Sequence, residues 1–126
     1  MRTIKFRGKV KTTNEWVCGS LLVWGDGEHN IYVPREHNYK VDAYNVEPST
    51  IGQFTGAYDR NGKEIYEGDI VFAKSAGEFK KCLVVYADHS CNFILHTKIG
   101  PWYIHGEIDS MLEVIGNIHD NPELIK

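Results

Sequence analysis

Hydrophobic residues recur at nearly every second position along most of this chain, and that period constrains the fold more than any other feature. In the first segment Ile4, Phe6 and Val10 alternate with charged residues, and similar alternation returns after each turn. A period of two is that of a β-strand with one buried face. Short alternating segments between turn residues are typical of sandwiches and small barrels. The sequence therefore predicts a mainly β protein of short antiparallel strands.

Turn residues divide the alternating stretches into individual strands. The clearest turn covers 59–62, where Asn61-Gly62 suits the positive φ angles of a tight hairpin. Further turns are predicted at 75–77 and 88–90. The predicted strands cover 4–11, 15–23, 31–34, 39–46, 53–58, 63–66, 70–73, 81–86, 91–96, 102–105 and 112–118, and a helical turn with Asn121 as N-cap and Pro122 at the first position follows.

The spacing of these strands bears on domain organisation. With 126 residues, 42% of them apolar, the chain suits one domain with a hydrophobic core. We expect a single domain over 1–126, softly divided into an N-terminal β subdomain 1–50 and a barrel-like subdomain 51–126. The C-terminal half is expected to form a small SH3-like barrel or a sandwich, with the N-terminal β segment packed on it.

Charge and cysteine content indicate the compartment. The formal net charge is −3; residues 1–56 hold seven Lys/Arg against six Asp/Glu, and residues 57–126 hold seven against eleven. The first residues alternate in charge and lack the apolar core of a secretory signal, and no stretch suits a membrane span. The three cysteines show no paired spacing, as in proteins of a reducing compartment. We expect a protein of the bacterial cytoplasm without a membrane partner.

Three carboxylates, Glu64, Glu67 and Asp69, form the one acidic group that suits metal binding or acid–base chemistry. Glu64 and Glu67 are an odd number of residues apart, so they face opposite sides of a regular strand. Turn chemistry is the stronger interpretation, in which Asp59 and Asp69 accept hydrogen bonds from the backbone of their own turns. We therefore expect no metal here.

Cys82, His89, Cys91 and His96 suggest a zinc site, but they are separated by six, one and four residues and form no Cys-x₂₋₄-Cys knuckle. If residues 87–90 form the turn, the two cysteines lie at opposite ends of one apolar face. That face is predicted to pair Tyr86 with Cys91, Val84 with Phe93 and Cys82 with Leu95. The cysteines are then buried small residues, and we expect neither a metal nor a cofactor.

The usual marks of a catalytic site are missing from the sequence. We find no Gly-x-Ser-x-Gly elbow, phosphate-binding Gly-rich loop or His-Glu-x-x-His helix. The protein is therefore expected not to be an enzyme. The enzyme alternative needs a pocket that gathers several members of one set: Glu67, Asp69, His89, His96 and His105.

The first strand carries the only feature that favours a binding surface. Lys5, Arg7, Lys9 and Lys11 alternate, so their positive ends emerge on one side, and Trp16 on the next strand offers a ring for base stacking. A lysine-rich edge also keeps strands from pairing with other molecules, and these charges suit the acidic second half of the chain equally well. Nucleic-acid binding is therefore an alternative that the negative net charge does not favour.

Three blocks of the chain resemble the YopX family of phage and prophage proteins. They are Ile4-Lys-Phe-Arg-Gly-Lys with Trp16-Val17 and Gly19; residues 46–71, which contain Ile51-Gly-Gln-Phe-Thr-Gly and Asp59-Arg-Asn-Gly-Lys-Glu-Ile-Tyr-Glu-Gly-Asp-Ile-Val; and Glu113-Val-Ile-Gly-Asn-Ile-His-Asp-Asn-Pro-Glu-Leu. The resemblance implies a phage-derived gene in a family without an established biochemical role. It supplies no catalytic or cofactor-binding residues.

The sequence and the resemblance together favour a non-enzymatic accessory protein of a phage or prophage that acts through protein–protein interaction. Its partner is expected to be a host or phage protein, and self-association into a homo-oligomer is an alternative. The runner-up is a small nucleic-acid-binding module that uses the basic face of the first strand. An exposed apolar surface patch favours the first hypothesis.

Overall fold

The computed structural model describes residues 1–75 and 77–125, and the protein is mainly β, as the sequence predicts. The strands are antiparallel and form two sheets. Their bounds are β1 Phe6–Lys9, β2 Trp16–Val23, β3 His29–Pro34, β4 Val41–Asn45, β5 Gly52–Tyr58, β6 Glu64–Tyr66, β7 Asp69–Ser75, β8 Glu78–Ala87, β9 Asn92–Thr97, β10 Gly100–Tyr103 and β11 Leu112–Asn117. Two short 3-10 helices cover Pro48–Thr50 and Pro122–Ile125. The chain divides into two compact units, Met1–Phe54 and Thr55–Lys126.

The N-terminal unit is built on an antiparallel sheet with the order β4-β3-β2-β1, and β1 also pairs with the start of β5. Few of its side chains are buried; the buried apolar ones are Val10, Ile31, Val46 and Phe54. Gly19 allows β2 to approach β3 closely, since a Cβ at this position would lie 2.2 Å from the carbonyl oxygen of Tyr32. The unit is thus a sheet with a small buried side.

The C-terminal unit contains the larger hydrophobic core. Its sheet has the order β10-β9-β8-β7-β11, and the end of β5 pairs with β6. The core residues are Ala57, Ile65, Val71, Ala73, Cys82, Val84, Leu95 and Leu112, with Trp102, Ile104 and Val114 packed against them. In residues 55–75 and 77–125 no strand pair joins β10 to β11, so this sheet is not a closed barrel, and the SH3-like barrel or sandwich stays a prediction.

The hairpin between β5 and β6 confirms the turn predicted from Asn61-Gly62. Asp59 N–H donates to the Lys63 carbonyl, and Gly62 N–H donates to the Asp59 carbonyl. Among residues 59–63 of this turn only Gly62 has a positive φ, of 79°, whereas a two-residue type I′ turn needs two, so the turn is longer than that type. The glycine supplies the left-handed conformation that closes the loop.

The predicted register of β8 and β9 is wrong by two residues. Tyr86 pairs with Phe93 and Val84 with Leu95. Cys91 belongs to the turn, where its φ is 56° and its N–H donates to the Ala87 carbonyl at 2.7 Å. The turn is therefore longer than predicted, and Cys91 is exposed rather than buried.

Two further predictions concern turns of the C-terminal unit. The 3-10 helix Pro122–Ile125 lies where a helical turn is predicted. Asn121 Oδ1, however, accepts a hydrogen bond from the Asn117 N–H rather than from the helix. The predicted turn at 75–77 includes Ala76, which lies outside the described residues.

Candidate binding surface of the N-terminal sheet

One face of the N-terminal sheet collects the side chains predicted to bind a partner. The register pairs Arg7 with Cys18, Ser20 with Tyr32, and Tyr32 with Ala43. Because side chains alternate along each strand, these residues and those two positions away share one side. We call it the outer face: Lys5, Arg7, Lys9, Trp16, Cys18, Ser20, Leu22, Asn30, Tyr32, Pro34, Val41, Ala43 and Asn45.

The basic zone of this face comprises Lys5, Arg7, Lys9 and Trp16. The guanidinium of Arg7 lies 4.8 Å from the centre of the Trp16 ring, and the Lys9 ammonium lies 5.5 Å from it. The Lys5 ammonium lies 5.2 Å from the centre of the Phe54 ring. Cation–π contacts of this kind hold the charges against aromatic surfaces, so the predicted residues do assemble, with both cations next to the tryptophan.

Lys11 lies just beyond β1 and is exposed. Val10 still bridges Val46, and the Lys11 backbone N–H donates to the Asn45 carbonyl at 3.0 Å. That Lys11 continues the row of Lys5, Arg7 and Lys9 stays a prediction.

The uncharged zone covers the rest of the outer face. Its nine residues on β2, β3 and β4 are Cys18, Ser20, Leu22, Asn30, Tyr32, Pro34, Val41, Ala43 and Asn45. Seven of the nine are exposed, and Asn30 and Tyr32 are partly exposed. Leu22 and Val41 keep 41% and 52% of their surface in solvent. Nine neighbouring exposed or partly exposed side chains without a charge are unusual on a protein surface, of which charged residues normally form a large part.

Two hydrogen bonds fix the amides in and beside the uncharged zone. Asn30 Oδ1 accepts a hydrogen bond from Trp24 Nε1 at 2.7 Å, and Asn45 Nδ2 donates to Glu28 Oε2. The amide side chains are thereby held at the end of the sheet nearest the β2–β3 turn. The middle of the zone is left to Ser20, Tyr32 and Ala43.

Strand β4 is the outer edge of this sheet. Val46 N–H donates to the His29 carbonyl, and in an antiparallel ladder such bonds recur at every second residue. The backbone groups of Val41 and Ala43 therefore point away from β3. At the C-terminal end of β4 this outward side is already engaged, because Val10 forms an antiparallel bridge with Val46 and Lys11 N–H donates to the Asn45 carbonyl. Among residues 1–75 and 77–125, no strand pairs with the outward side at Val41 and Ala43.

An ion pair stands at the start of β4. Arg35 Nη2 lies 2.7 Å from Asp42 Oδ1, and Arg35 Nε also donates to this oxygen. The hydrogen bond from Arg35 holds the pKa of Asp42 below its ordinary value, although partial desolvation acts the other way. Both side chains are substantially exposed, so the pair adds little stability. The charges of Arg35 and Asp42 therefore lie at the N-terminal end of the edge strand β4.

The family-like acidic residues of the C-terminal unit act as turn residues. Asp59 Oδ1 accepts hydrogen bonds from the N–H groups of Asn61 and Lys63, and Oδ2 accepts one from Val114 N–H at 2.9 Å. Asp69 Oδ2 accepts one from Tyr66 N–H at 2.8 Å. The prediction that both aspartates bond the backbone of their own turns is confirmed.

A third buried carboxylate, Asp109, was not singled out from the sequence. It accepts hydrogen bonds from the N–H groups of His105 and Met111. The sequence signal is weak, because an Asx-type turn requires only that the aspartate side chain bond the backbone N–H two residues further on. Asp109 is nevertheless equivalent to Asp59 and Asp69 in tying a loop to itself.

The residues considered for metal binding or catalysis do not gather. In the described part of the chain no group of three or more His, Cys, Asp or Glu side chains is arranged to hold a metal ion. Cys82 is buried, and desolvation raises the pKa of its thiol. His89 lies in the β8–β9 turn and His96 is exposed on β9.

Comparison with known proteins assigns the family. The family model described as YopX protein matches residues 5–126. The chain belongs to the YopX family. This confirms the resemblance seen in the three sequence blocks, since the match spans nearly the whole chain. No curated protein sequence matches it.

A solved structure shares the fold of this YopX protein. The crystal structure of protein EF1440 from Enterococcus faecalis is similar over 100% of both chains, with a TM-score of 0.62 and 24% sequence identity. At this identity the similarity establishes the fold alone. Within residues 1–75 and 77–125, no helix is long and apolar enough to cross a membrane.

Proposed function

We propose that this YopX-family protein is a non-enzymatic accessory protein of a phage or prophage, and that the uncharged zone of its N-terminal sheet binds a host or phage protein. One observation carries the proposal. Three neighbouring strands present nine exposed or partly exposed side chains without a charge, and the zone ends at β4, whose outward side is unpaired at Val41 and Ala43 among the described residues.

The chemistry of the zone suits a protein partner. Charged residues are depleted in the centre of protein interfaces, and tyrosine is enriched there. Tyr32 lies in the middle of the zone, between Ser20 and Ala43. The zone contains no cation for a phosphate, so it does not suit a nucleic acid. Loss of apolar surface from Leu22 and Val41 on binding contributes the hydrophobic part of the affinity.

The edge of the sheet suits a partner in extended conformation. Peptides that add a strand to a sheet edge form main-chain hydrogen bonds with outward N–H and C=O groups. Val41 and Ala43 provide such groups, and their side chains lie on the outer face. We expect a partner segment to pair with β4 while its side chains reach Tyr32 and Ala43.

The experiment compares two lysine substitutions at adjacent positions of β2. Leu22 lies on the outer face and is 41% exposed; Val23 lies on the opposite face and is 54% exposed. Partners are captured from the bacterial host and identified, and the complex is then reconstituted from purified components. Leu22→Lys should weaken it by about tenfold or more, because a charge is brought into an apolar contact. Val23→Lys should leave the affinity unchanged.

The opposite pattern contradicts the proposal. If a reconstituted complex tolerates Leu22→Lys, and also tolerates Val41→Lys at the edge, the uncharged zone is not its interface. Sedimentation velocity of the protein alone shows whether a second copy is the partner, in which case Leu22→Lys abolishes the dimer.

Nucleic-acid binding through the basic zone is the second candidate. The observation that favours it is the approach of two cations, Arg7 and Lys9, to the Trp16 ring. The same contacts weigh against nucleic-acid binding, because the cations lie on the Trp16 ring that a base would need for stacking. Fluorescence anisotropy of labelled DNA and RNA over a salt series tests the idea. Salt-sensitive binding that the Lys5/Arg7/Lys9 to Glu variant loses supports it, and no rise in anisotropy at low salt excludes it.

A further inference from the structure

A cleft of about 500 Å³ in the C-terminal unit concentrates positive charge. Its cationic residues are Lys81 on β8 and Lys98 directly after β9, and His96 adds an imidazole. Lys80 also lines the cleft, but alternation places its side chain on the opposite face of the sheet, where its ammonium lies 4.8 Å from the centre of the Trp102 ring. Residues 57–126 hold seven Lys/Arg against eleven Asp/Glu, so two cations of an acidic region meet in this one cleft. We call it the lysine cleft.

Strand pairing explains how Lys81 and Lys98 meet. β8 and β9 are antiparallel, with Leu83 opposite His96. Extended by two residues, this register places Lys81 opposite Lys98. Like charges at neighbouring cross-strand positions are destabilising unless a counter-charge lies between them. Glu78 lies 3.6 Å from Lys80. Among the described residues, no carboxylate is within ion-pair distance of Lys81 or Lys98.

The rest of the lining is apolar apart from Thr97, whose hydroxyl donates to the Gly100 carbonyl at 2.7 Å. Ile99 comes from the β9–β10 turn, and Leu124 and Ile125 come from the 3-10 helix Pro122–Ile125. Ile99 keeps 74% of its surface in solvent. A volume of this size is within the range of small-molecule sites, which combine an apolar lining with a few polar groups.

We propose that the lysine cleft binds a small organic phosphate, with the phosphate group between Lys81 and Lys98 and an apolar moiety against Ile99 and Leu124. A phosphate monoester carries a charge of roughly −1.5 to −2 at neutral pH, which matches two ammonium groups better than the charge of one carboxylate does. Imidazole also donates a hydrogen bond in either tautomer. The site is separate from the uncharged zone and adds a ligand to a protein-binding function.

Isothermal titration calorimetry with phenyl phosphate tests the inference. Phenyl phosphate is expected to bind, inorganic phosphate to bind more weakly, and benzoate to bind more weakly than phenyl phosphate. The Lys81→Gln/Lys98→Gln variant should lose about tenfold or more in affinity for phenyl phosphate, since it removes two charge-assisted contacts. Lys63→Gln removes an exposed lysine of the same unit and should change the affinity less than about twofold.

A second variant separates the two parts of the site. Leu124→Ser should weaken phenyl phosphate and leave inorganic phosphate unchanged, because only the former contacts the apolar wall. Leu22→Lys, on the N-terminal sheet, should affect neither ligand. The exchanged lysines are exposed or partly exposed, and an unchanged melting temperature verifies that each variant folds.

Three results overturn the proposal. The first is that phenyl phosphate does not bind at about 10 mM, since a weaker dissociation constant corresponds to a binding free energy too small for a specific site. The second is that phenyl phosphate binds the Lys81→Gln/Lys98→Gln variant as tightly as the wild type. The third is that benzoate binds as tightly as phenyl phosphate, which would show that the cleft does not select a phosphate.

Discussion

The two units use their sheets in different ways. In the N-terminal unit four apolar side chains, Val10, Ile31, Val46 and Phe54, are buried, and the outer face of the sheet is open to solvent. In the C-terminal unit eight buried residues form a hydrophobic cluster, and the adjacent loops are tied by Asp59, Asp69 and Asp109. The larger buried cluster concentrates stability in the C-terminal unit, whereas the exposed outer face of the N-terminal sheet is the surface that we propose binds a partner. Substitutions should therefore affect folding most in the C-terminal unit and binding most in the N-terminal one.

The largest expected loss of stability follows removal of a core side chain of the C-terminal unit. Leu95 is 1% exposed, and Leu95→Ala should lower the free energy of unfolding by about 4 kcal/mol, through lost apolar contacts and the cavity left behind. Leu22→Ala, on the open face, should change it by less than about 0.5 kcal/mol. Urea unfolding followed by tryptophan fluorescence measures both. Equal losses in the two variants contradict the comparison.

Removal of the Asp59 carboxylate comes next. Asp59 is 1% exposed and accepts three backbone hydrogen bonds, one of them from Val114, 55 residues away. Asp59→Ala leaves these N–H groups without an acceptor and should lower the free energy of unfolding by about 3 kcal/mol. Asp42→Ala serves as the control, because its partner Arg35 is exposed. A similar loss in both variants shows that Asp59 is not the tie inferred from its bonds.

A smaller effect is expected from a methyl group at Gly19 in the N-terminal sheet. A Cβ there meets the Tyr32 carbonyl oxygen at 2.2 Å, so β2 and β3 must separate. Gly19→Ala should lower the free energy of unfolding by about 2 kcal/mol. Gly25→Ala is the control, since a Cβ at Gly25 meets no atom within 4 Å. If Gly19→Ala unfolds at the same urea concentration as the wild type, the close approach of the strands is not required.

Acidification should produce the smallest of these effects on the free energy of unfolding, through protonation of Asp59. Burial raises the pKa of Asp59, but hydrogen bonds from Val114, Lys63 and Asn61 and the charge of Lys63 outweigh it, so the pKa lies below the ordinary value of 3.8. The carboxylate thus contributes stability above the unfolded-state pKa, and this contribution is lost as the pH falls through the folded-state pKa. Urea unfolding between about pH 7 and pH 2 measures it. In Asp59→Asn this part of the decline should disappear; an unchanged pH profile would falsify the assignment.

Local sequence signals predicted much of the fold, and longer-range features explain the errors. The hairpin at Asn61-Gly62 and the bonds of Asp59 and Asp69 depend on neighbouring residues, and they were predicted correctly. The register of β8 and β9 was wrong because it depends on Cys91, a non-glycine residue whose positive φ lengthens the turn. A single sequence rarely signals such a conformation.

The candidate sites were predicted only in part for the same reason. The row Lys5, Arg7 and Lys9 is local to one strand, so alternation was enough to find it. The uncharged zone needs the register of β2, β3 and β4, although the lack of charge at every second position from Cys18 to Leu22 was visible in the sequence. The lysine cleft joins β8 to residues near the C-terminus, and no local pattern indicates this contact.

Hydrogen–deuterium exchange on the reconstituted complex tests the central claim, that the outer face of the N-terminal sheet binds the partner, most directly. Exchange is expected to be slower at the outward amides of Val41 and Ala43 and in the peptides of β2 and β3 when the partner is bound. Exchange in β7, β8 and β9 should remain as in the free protein. Protection confined to the C-terminal unit, with β4 unchanged, would contradict the account.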